Sequence, residues 1–185
     1  MPFKGQILTD KFTGDTFEFI ETAKDTDGKR VTLRISLKSK GKTVDDHIHM
    51  LQSETFKVFS GRLTYFLNKE KRYLNMDETI TLPKNVAHNH YNTDEEPVIY
   101  LQTITPAIDI DYFIENLFGL INDGKVKNGQ LSFLQAMVTA KYLESPSRLA
   151  SIPRGIQELL INTLGPLSRL FGYRAIYAKY TGLEK

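Results

Sequence analysis

Residues 41–61 read GKTVDDHIHMLQSETFKVFSG and contain two of the four histidines of this 185-residue chain. One residue separates His47 from His49, so on a β-strand their side chains project from the same face. Glu54 follows five residues after His49, and a short turn would return it towards the same side on the next strand. Imidazole is the commonest protein ligand of transition metals. This stretch therefore predicts two adjoining strands that carry part of a metal site.

The other two histidines stand in a second run, DETITLPKNVAHNHYN, at residues 77–92. His88 supplies a further candidate ligand, which makes three imidazoles and one carboxylate. Such a set suits one divalent transition metal ion (Fe, Mn, Ni, Cu or Zn) without selecting among them. The chain has no cysteine, so thiolate ligands are excluded. Four protein ligands leave one or two positions open on a five- or six-coordinate ion, as a catalytic metal requires.

Residues 1–106 predict short strands separated by turns. Apolar and polar residues alternate between residues 31 and 38 with the period of a half-buried strand, and PVIYLQTIT at residues 97–105 is rich in β-branched residues. Asn, Asp and Gly separate these runs, as they do in turns. Many short strands at close spacing predict a sandwich or a barrel.

The two runs resemble the two motifs of the cupin superfamily. The first motif, G-x5-H-x-H-x3,4-E-x6-G, is matched at each fixed position from residue 41 to residue 61. The resemblance implies a mainly β fold, a double-stranded β-helix (jelly-roll or cupin barrel) with C-terminal α-helices. It also implies the metal ligands, which are His47, His49, Glu54 and His88.

The second motif, G-x5-P-x-G-x2-H-x3-N, is matched at Pro83, His88 and Asn92. Asp77 and Asn85 stand where glycine is usual. Asp and Asn are the non-glycine residues that best tolerate a positive φ. We therefore interpret both as substitutions that keep the turns of the motif.

Alternation along the strands predicts further residues inside the barrel. The pocket candidates are Phe56, Val58, Tyr65, Tyr100 and Gln102. His90 is outside the family's ligand set, but on a regular strand it shares the inward face with His88. There it would contact substrate or act as a catalytic acid or base with a pKa near neutrality. The alternative is a histidine turned outward where the strand twists.

The resemblance implies a metal-dependent enzyme acting on a small organic molecule. The family hosts dioxygenases, isomerases and lyases, and we favour a dioxygenase-like oxidoreductase. The alternative is a non-catalytic module that binds or senses a sugar-like ligand or an organic acid at the same metal site. Single-domain members commonly dimerise through their sheets, so we expect a homodimer.

Composition bounds the partners and the location. A net charge of +2 gives no reason to expect nucleic acid as a partner. No apolar run is long enough for a transmembrane helix, and the first residues lack the apolar run of a secretory signal. The absence of cysteine fits a reducing compartment, and we expect a cytoplasmic protein.

Residues 107–185 predict a helical extension packed on the barrel or at a dimer interface. Asp109 or Asp111 is a candidate cap for a first helix that ends at Asn122, and a second helix follows within residues 131–142. A third is predicted from about Pro153 to Ala178, kinked or split at Gly165-Pro166.

The third helix is amphipathic and basic. Its apolar stripe consists of Ile156, Leu159, Leu160, Thr163, Leu164, Leu167, Leu170 and Phe171. Residues 141–185 carry seven Lys or Arg and three Glu, a net charge of +4. Such a helix either packs on its own barrel or a dimer mate, which we favour, or lies on a membrane surface or another partner.

Overall fold

A computed structural model describes residues 1–41, 45–127, 129–183 and 185. Residues 42–44 of the first motif, and residues 128 and 184, lie outside the described residues. The strands are β1 (Ile7–Thr9), β2 (Thr16–Glu21), β3 (Val31–Leu37), β4 (His47–Ile48), β5 (Ser53–Ser60), β6 (Leu63–Leu67), β7 (Glu70–Leu74), β8 (Thr79–Leu82), β9 (His88–Tyr91), β10 (Val98–Thr105), β11 (Val126–Lys127), β12 (Gln130–Leu131) and β13 (Arg148–Leu149). The α-helices are α1 (Ile110–Asn122), α2 (Phe133–Tyr142), α3 (Arg154–Leu170) and α4 (Ala178–Thr181).

Two antiparallel sheets enclose one apolar core. Their strand orders are β1-β2-β3-β10-β5-β8 and β13-β4-β9-β6-β7, and β11 pairs with β12 as a separate hairpin. Two facing sheets with crossover connections, followed by helices, are the predicted double-stranded β-helix, so the mainly β fold class is confirmed.

The centre of the six-stranded sheet shows why the apolar alternation produces this fold. Cross-strand partners share a face, and Tyr100 of β10 lies opposite Ile35 of β3 and Val58 of β5. All three side chains are fully buried. Burying one large apolar side chain contributes about 1.5–3 kcal/mol, so these inward rows stabilise the barrel.

The two positions of the second motif where glycine is usual have a left-handed backbone conformation. Asp77 has a φ of 66° and Asn85 a φ of 64°. The interpretation that both residues preserve left-handed turns is therefore confirmed. Gly61, which closes the first motif, is constrained more strongly. Its φ is 75°, and a Cβ there would lie 2.7 Å from the carbonyl oxygen of Pro97.

The C-terminal extension agrees with the first two predicted helices but not with the third. α1 and α2 end where the sequence pattern predicts. α3 ends at Leu170, not near Ala178, and it runs through Pro166 without splitting. The N–H of Tyr173 donates to Ser168 O (3.1 Å) and that of Gly172 to Arg169 O (3.1 Å), which is the Schellman termination of a helix at a glycine.

α3 does not pack its apolar stripe on the barrel of its own chain, and packing on a dimer mate stays a prediction. Its buried face consists of Gln157, Ile161, Gly165 and Ser168, and it packs on α2. A Cβ at Gly165 would lie 2.6 Å from Lys141 Cβ, so glycine permits this close approach. Most of the apolar stripe faces away from the barrel. No helix in the described part of the chain is long and apolar enough to cross a membrane.

The extension also completes a sheet of the barrel. β13 pairs with β4, with Leu149 opposite His47 and Arg148 opposite Ile48. Gln157 of α3 holds this strand, because its amide accepts from Leu149 N (3.0 Å) and donates to Leu149 O (2.9 Å). The strand that carries a candidate metal ligand is thus flanked by a segment of the extension.

We expect Gly61→Ala to destabilise the protein more than Gly28→Ala. Both glycines have a φ of 75°, but nothing lies within 4 Å of a Cβ at Gly28. Each substitution should cost about 1 kcal/mol for the left-handed backbone. The contact with Pro97 should add about 1–3 kcal/mol at Gly61 only. Urea unfolding measures both free energies, and equal losses would contradict the proposed contact.

Candidate metal centre

The structure brings the four predicted ligands together from both sheets. His47 of β4 lies opposite His88 of β9 in one sheet, and Glu54 stands near the start of β5 in the other. Residues 49–52 form the expected turn between β4 and β5. One ligand atom from each of His47, His49, Glu54 and His88 lies within 4.8 Å of the others. This group has the composition and compactness to hold a metal ion.

Main-chain carbonyl groups orient two of the imidazoles. Nδ1 of His47 lies 2.8 Å from Asp45 O, and Nδ1 of His88 lies 2.9 Å from Val86 O. A carbonyl oxygen only accepts hydrogen bonds, so the proton of each neutral ring is on Nδ1. Nε2 then presents its lone pair to the cluster, as a metal-ligating histidine requires.

The carboxylate of Glu54 lies between two histidines. Oε1 is 3.2 Å from His49 Nε2 and accepts a hydrogen bond of 2.9 Å from Gln102 Nε2. Oε2 is 3.3 Å from His88 Nε2. With the His88 proton on Nδ1, a lone pair of the ring faces the carboxylate, and the two repel each other. A cation between them removes that repulsion, so these residues fit a divalent metal ion.

Burial and mutual charge shift the titration of the cluster. Burial lowers the pKa of His47 to about 4. Burial also opposes protonation of His49, but the Glu54 carboxylate outweighs it and raises the pKa of His49. Burial would raise the pKa of Glu54, whereas the charge and the hydrogen bond of His49 hold it well below its ordinary value. Glu54 is therefore ionised at neutral pH, as a ligand must be.

His90 faces the interior of the barrel. Its ring centroid lies 4.7 Å from that of Phe56 and 5.8 Å from that of Tyr100. The prediction of a pKa near neutrality is wrong, because burial lowers the pKa of His90 to about 4. The ring is neutral at pH 7. Nδ1 of His90 and the hydroxyl of Tyr100 are both buried without a hydrogen-bond partner among the described residues.

The remaining pocket candidates also lie on inward faces. Phe56 and Val58 are fully buried, and Tyr65, nearly buried, lies opposite His90 in the pairing of β6 with β9. Gln102 lies opposite Phe56, beside the cluster, and its amide donates to Glu54. All five side chains thus lie on buried faces, and Gln102 is in contact with a candidate ligand.

The sequence interpretation missed two groups that hold the cluster in place. Gln52, in the turn before Glu54, is buried and donates to Pro106 O (2.8 Å) and Ala107 O (3.1 Å). Asp109, a predicted helix cap, makes no capping hydrogen bond and instead accepts from the backbone N–H of Ser145 (2.9 Å). The position of Gln52 between two ligands was an available signal, whereas nothing local indicates the pairing of Asp109 with Ser145.

A surface groove is lined by residues next to the candidate ligands but not by the ligands themselves. It has a volume of about 670 Å³ and runs between β4, β13 and the start of α3. Ile48, Met50, Leu149, Ile152 and Arg154 are among its lining residues, and the four candidate ligands are not. The chemistry of the cluster belongs to the barrel interior, so this groove is a separate surface feature.

Comparisons with known proteins agree with this geometry. Residues 33–104 match the sequence model of the family described as Cupin domain. That segment contains the four clustered side chains and all of the pocket candidates. No curated protein matches the chain.

Several solved structures have a similar fold. A sugar phosphate isomerase from a cupin superfamily of Silicibacter pomeroyi is 18% identical with a TM-score of 0.43, over 50% of this chain and 59% of that one. KdgF from Halomonas sp. is 13% identical with a TM-score of 0.46, over 55% and 86%. Streptomyces PAC13 with uridine is 17% identical with a TM-score of 0.44, over 56% and 77%. This chain thus spans less than two thirds of the Silicibacter protein, and the likeness concerns the fold alone.

We expect the metal-free protein to lose stability as the pH falls from 6.5 to 4. The unfolded chain protonates its histidines near pH 6.5, whereas His47 and His90 resist protonation until about pH 4. Folding is therefore favoured above pH 6.5, and each ring accounts for a loss of at most about 3 kcal/mol on acidification. His49, whose pKa is raised, opposes this trend in part.

His90→Gln should flatten the dependence of the unfolding free energy on pH, because one buried imidazole is removed. Tyr100→Phe changes the same wall of the barrel without removing an imidazole. Its unfolding free energy should therefore depend on pH as strongly as that of the wild type. Urea unfolding in the presence of a chelator, repeated across this pH range, measures the slopes. Identical slopes for wild type and His90→Gln would contradict the assignment.

Proposed function

Because residues 33–104 match the family described as Cupin domain, we propose that this chain is a cupin and a metal-dependent enzyme acting on a small organic molecule. The observation that carries the proposal is the compact group of three imidazoles and one carboxylate inside the barrel. We assign His47, His49, Glu54 and His88 as the ligands of one divalent transition metal ion. A cytoplasmic location fits the cysteine-free composition.

The residues around the cluster have distinct tasks in this proposal. A bound ion supplies Lewis-acid or dioxygen chemistry at the site. Gln102 fixes the Glu54 carboxylate through its hydrogen bond. His90 and Tyr100 offer polar atoms without a partner among the described residues, and these atoms can bind substrate. The apolar side chain of Phe56 excludes water beside them.

Two reaction classes follow from different grounds. Dioxygenase-like oxidation follows from the family resemblance and does not depend on a particular side chain. Metal-assisted reaction without dioxygen, as in an isomerase or a lyase, would use the unpartnered groups of His90 and Tyr100 to hydrogen-bond the substrate. A binding or sensing module for a sugar-like ligand or an organic acid would use the same residues without turnover.

We expect Glu54→Gln and His49→Ala to lose most of the bound metal. Each removes one of the four ligands, and an amide is a far poorer ligand than a carboxylate for a transition metal ion. His90→Gln is the matched control, because it changes an interior histidine outside the ligand set and should keep the metal. Elemental analysis measures the metal, and circular dichroism establishes that the barrel is folded. Full metal content in Glu54→Gln would contradict the ligand assignment.

The reaction class is tested with the molecule that co-purifies with the protein, identified by mass spectrometry. Its conversion is followed with and without dioxygen, in wild type and in Tyr100→Phe. Conversion that requires dioxygen supports the oxidative reaction. Conversion without dioxygen that is weakened in Tyr100→Phe supports the isomerase or lyase reaction. A retained ligand that no condition converts would favour the binding module over the enzyme.

We also propose a homodimer that forms through the edge of the six-stranded sheet. β1 is an edge strand, and edge strands present unpaired backbone groups to other chains. Phe3, Ile7 and Phe12 are exposed on or beside it. We expect Ile7→Ser with Phe12→Ser to weaken the dimer in sedimentation equilibrium. A clean wild-type monomer at high protein concentration would contradict the proposal.

A further inference from the structure

The apolar stripe of α3 faces solvent. Of its residues, Leu170 is 81% exposed and Phe171 at the end of the helix is 73% exposed. Leu159, Ile156 and Leu167 are 64%, 53% and 46% exposed. Solvent-exposed apolar side chains in one contiguous row mark an interaction surface. We call the row of Ile156, Leu159, Leu167, Leu170 and Phe171 the outer face of α3.

The packing of α3 holds this face outward. Gln157 and Gly165 lie on the opposite side of the helix. Gln157 makes two hydrogen bonds to Leu149 of β13 and a third to Ile152 O (2.7 Å). Gly165 admits Lys141 at a separation that no larger residue tolerates. Rolling the helix to bury its leucines would break the hydrogen bonds of Gln157 and separate α2 from α3.

Positive charge flanks the outer face at the two ends of α3. Residues 145–183 contain a single acidic residue, Glu158, and five basic residues, which are Arg148, Arg154, Arg169, Arg174 and Lys179. Glu158 is already paired with Arg148 at 2.9 Å. Arg154 and Arg169 stand at the two ends of the helix, and neither pairs with a carboxylate in the described part of the chain. The guanidinium of Arg169 lies 4.7 Å from the centroid of the Tyr142 ring.

We infer that the outer face of α3 docks on an anionic lipid surface. A helix with an exposed apolar face and basic flanks lies in the plane of a membrane interface, with its apolar side chains among the acyl chains. Each Lys or Arg near an anionic surface strengthens the association. Charge complementarity therefore selects lipid. A second copy of the chain would place Arg154 and Arg169 against like charges. Glu158 is already paired with Arg148, so it would not offset this repulsion.

Docking in this way places the barrel beside the membrane. Gln157 connects α3 to β13, and β13 pairs with β4, which carries His47. The surface groove lined by Ile152 and Arg154 adjoins the N-terminal end of the same helix. If the proposed function holds, docking through α3 would therefore place the barrel that carries the candidate metal centre at the lipid surface.

The test uses the full chain and two kinds of vesicle, one of phosphatidylcholine alone and one of phosphatidylcholine mixed with phosphatidylglycerol. Wild type should co-sediment with the mixed vesicles only, and added salt should weaken the binding. Leu170→Ser with Phe171→Ser should weaken binding by at least about tenfold, because two apolar anchors are lost. Arg169→Gln should weaken it by about fivefold.

Met76→Ser is the matched control. Met76 is 60% exposed on the barrel, away from α3, and its loss should leave vesicle binding unchanged. All substituted residues are exposed, so the thermal unfolding midpoint and the metal content should stay at the wild-type values.

Three results would overturn the inference. They are failure of wild type to sediment with anionic vesicles, equal binding to both vesicles, and full binding by the Leu170→Ser, Phe171→Ser variant. If the wild-type protein does not bind vesicles but self-associates through Leu170 and Phe171, the partner of the outer face is a second copy of the chain.

Discussion

Burying the carboxylate of Glu54 between two apolar sheets costs several kcal/mol unless neighbouring groups offset that penalty. Two groups of the barrel do so, and a third faces the carboxylate without stabilising it. Gln102 donates a hydrogen bond to one oxygen, His49 approaches the same oxygen, and His88 faces the other. The His88 contact is incomplete, because its proton is held by Val86 O on the far side of the ring. This unbalanced contact supports the proposal that a cation binds between His88 and Glu54.

The helical extension helps to position the candidate site, because it supports the short strand β4. β4 has only two residues, too few for a stable strand by itself. It is held by β9 on one side and by β13 of the extension on the other. Gln157 then holds β13 against α3, and Asp109 holds the loop that precedes β13. The position of His47 thus depends on contacts more than a hundred residues away in the sequence.

The fold and the cluster followed from sequence because both depend on short-range spacing. A period of two decides which side chains share a face, and Asp77 and Asn85 preserve the turns that set the register. What covers α3 could not be predicted in this way. Amphipathic spacing establishes an apolar face without identifying its partner. The end of α3 was visible in the sequence at Gly172, whereas β13 is too short to show a period.

A side chain that faces the interior of the barrel does not thereby have a chemical role. Three neighbouring side chains on one wall of the barrel illustrate this. Val58, Tyr100 and Gln102 all follow from alternation, and all three are buried. Val58 only packs, Gln102 fixes a ligand, and Tyr100 buries a hydroxyl that has no partner in the described residues. An unpartnered buried hydroxyl costs about 1–3 kcal/mol, a penalty that a purely structural barrel avoids with phenylalanine at the same position. Retaining tyrosine there is physically reasonable when a bound molecule completes its hydrogen bond, which supports the proposal that Tyr100 contacts substrate.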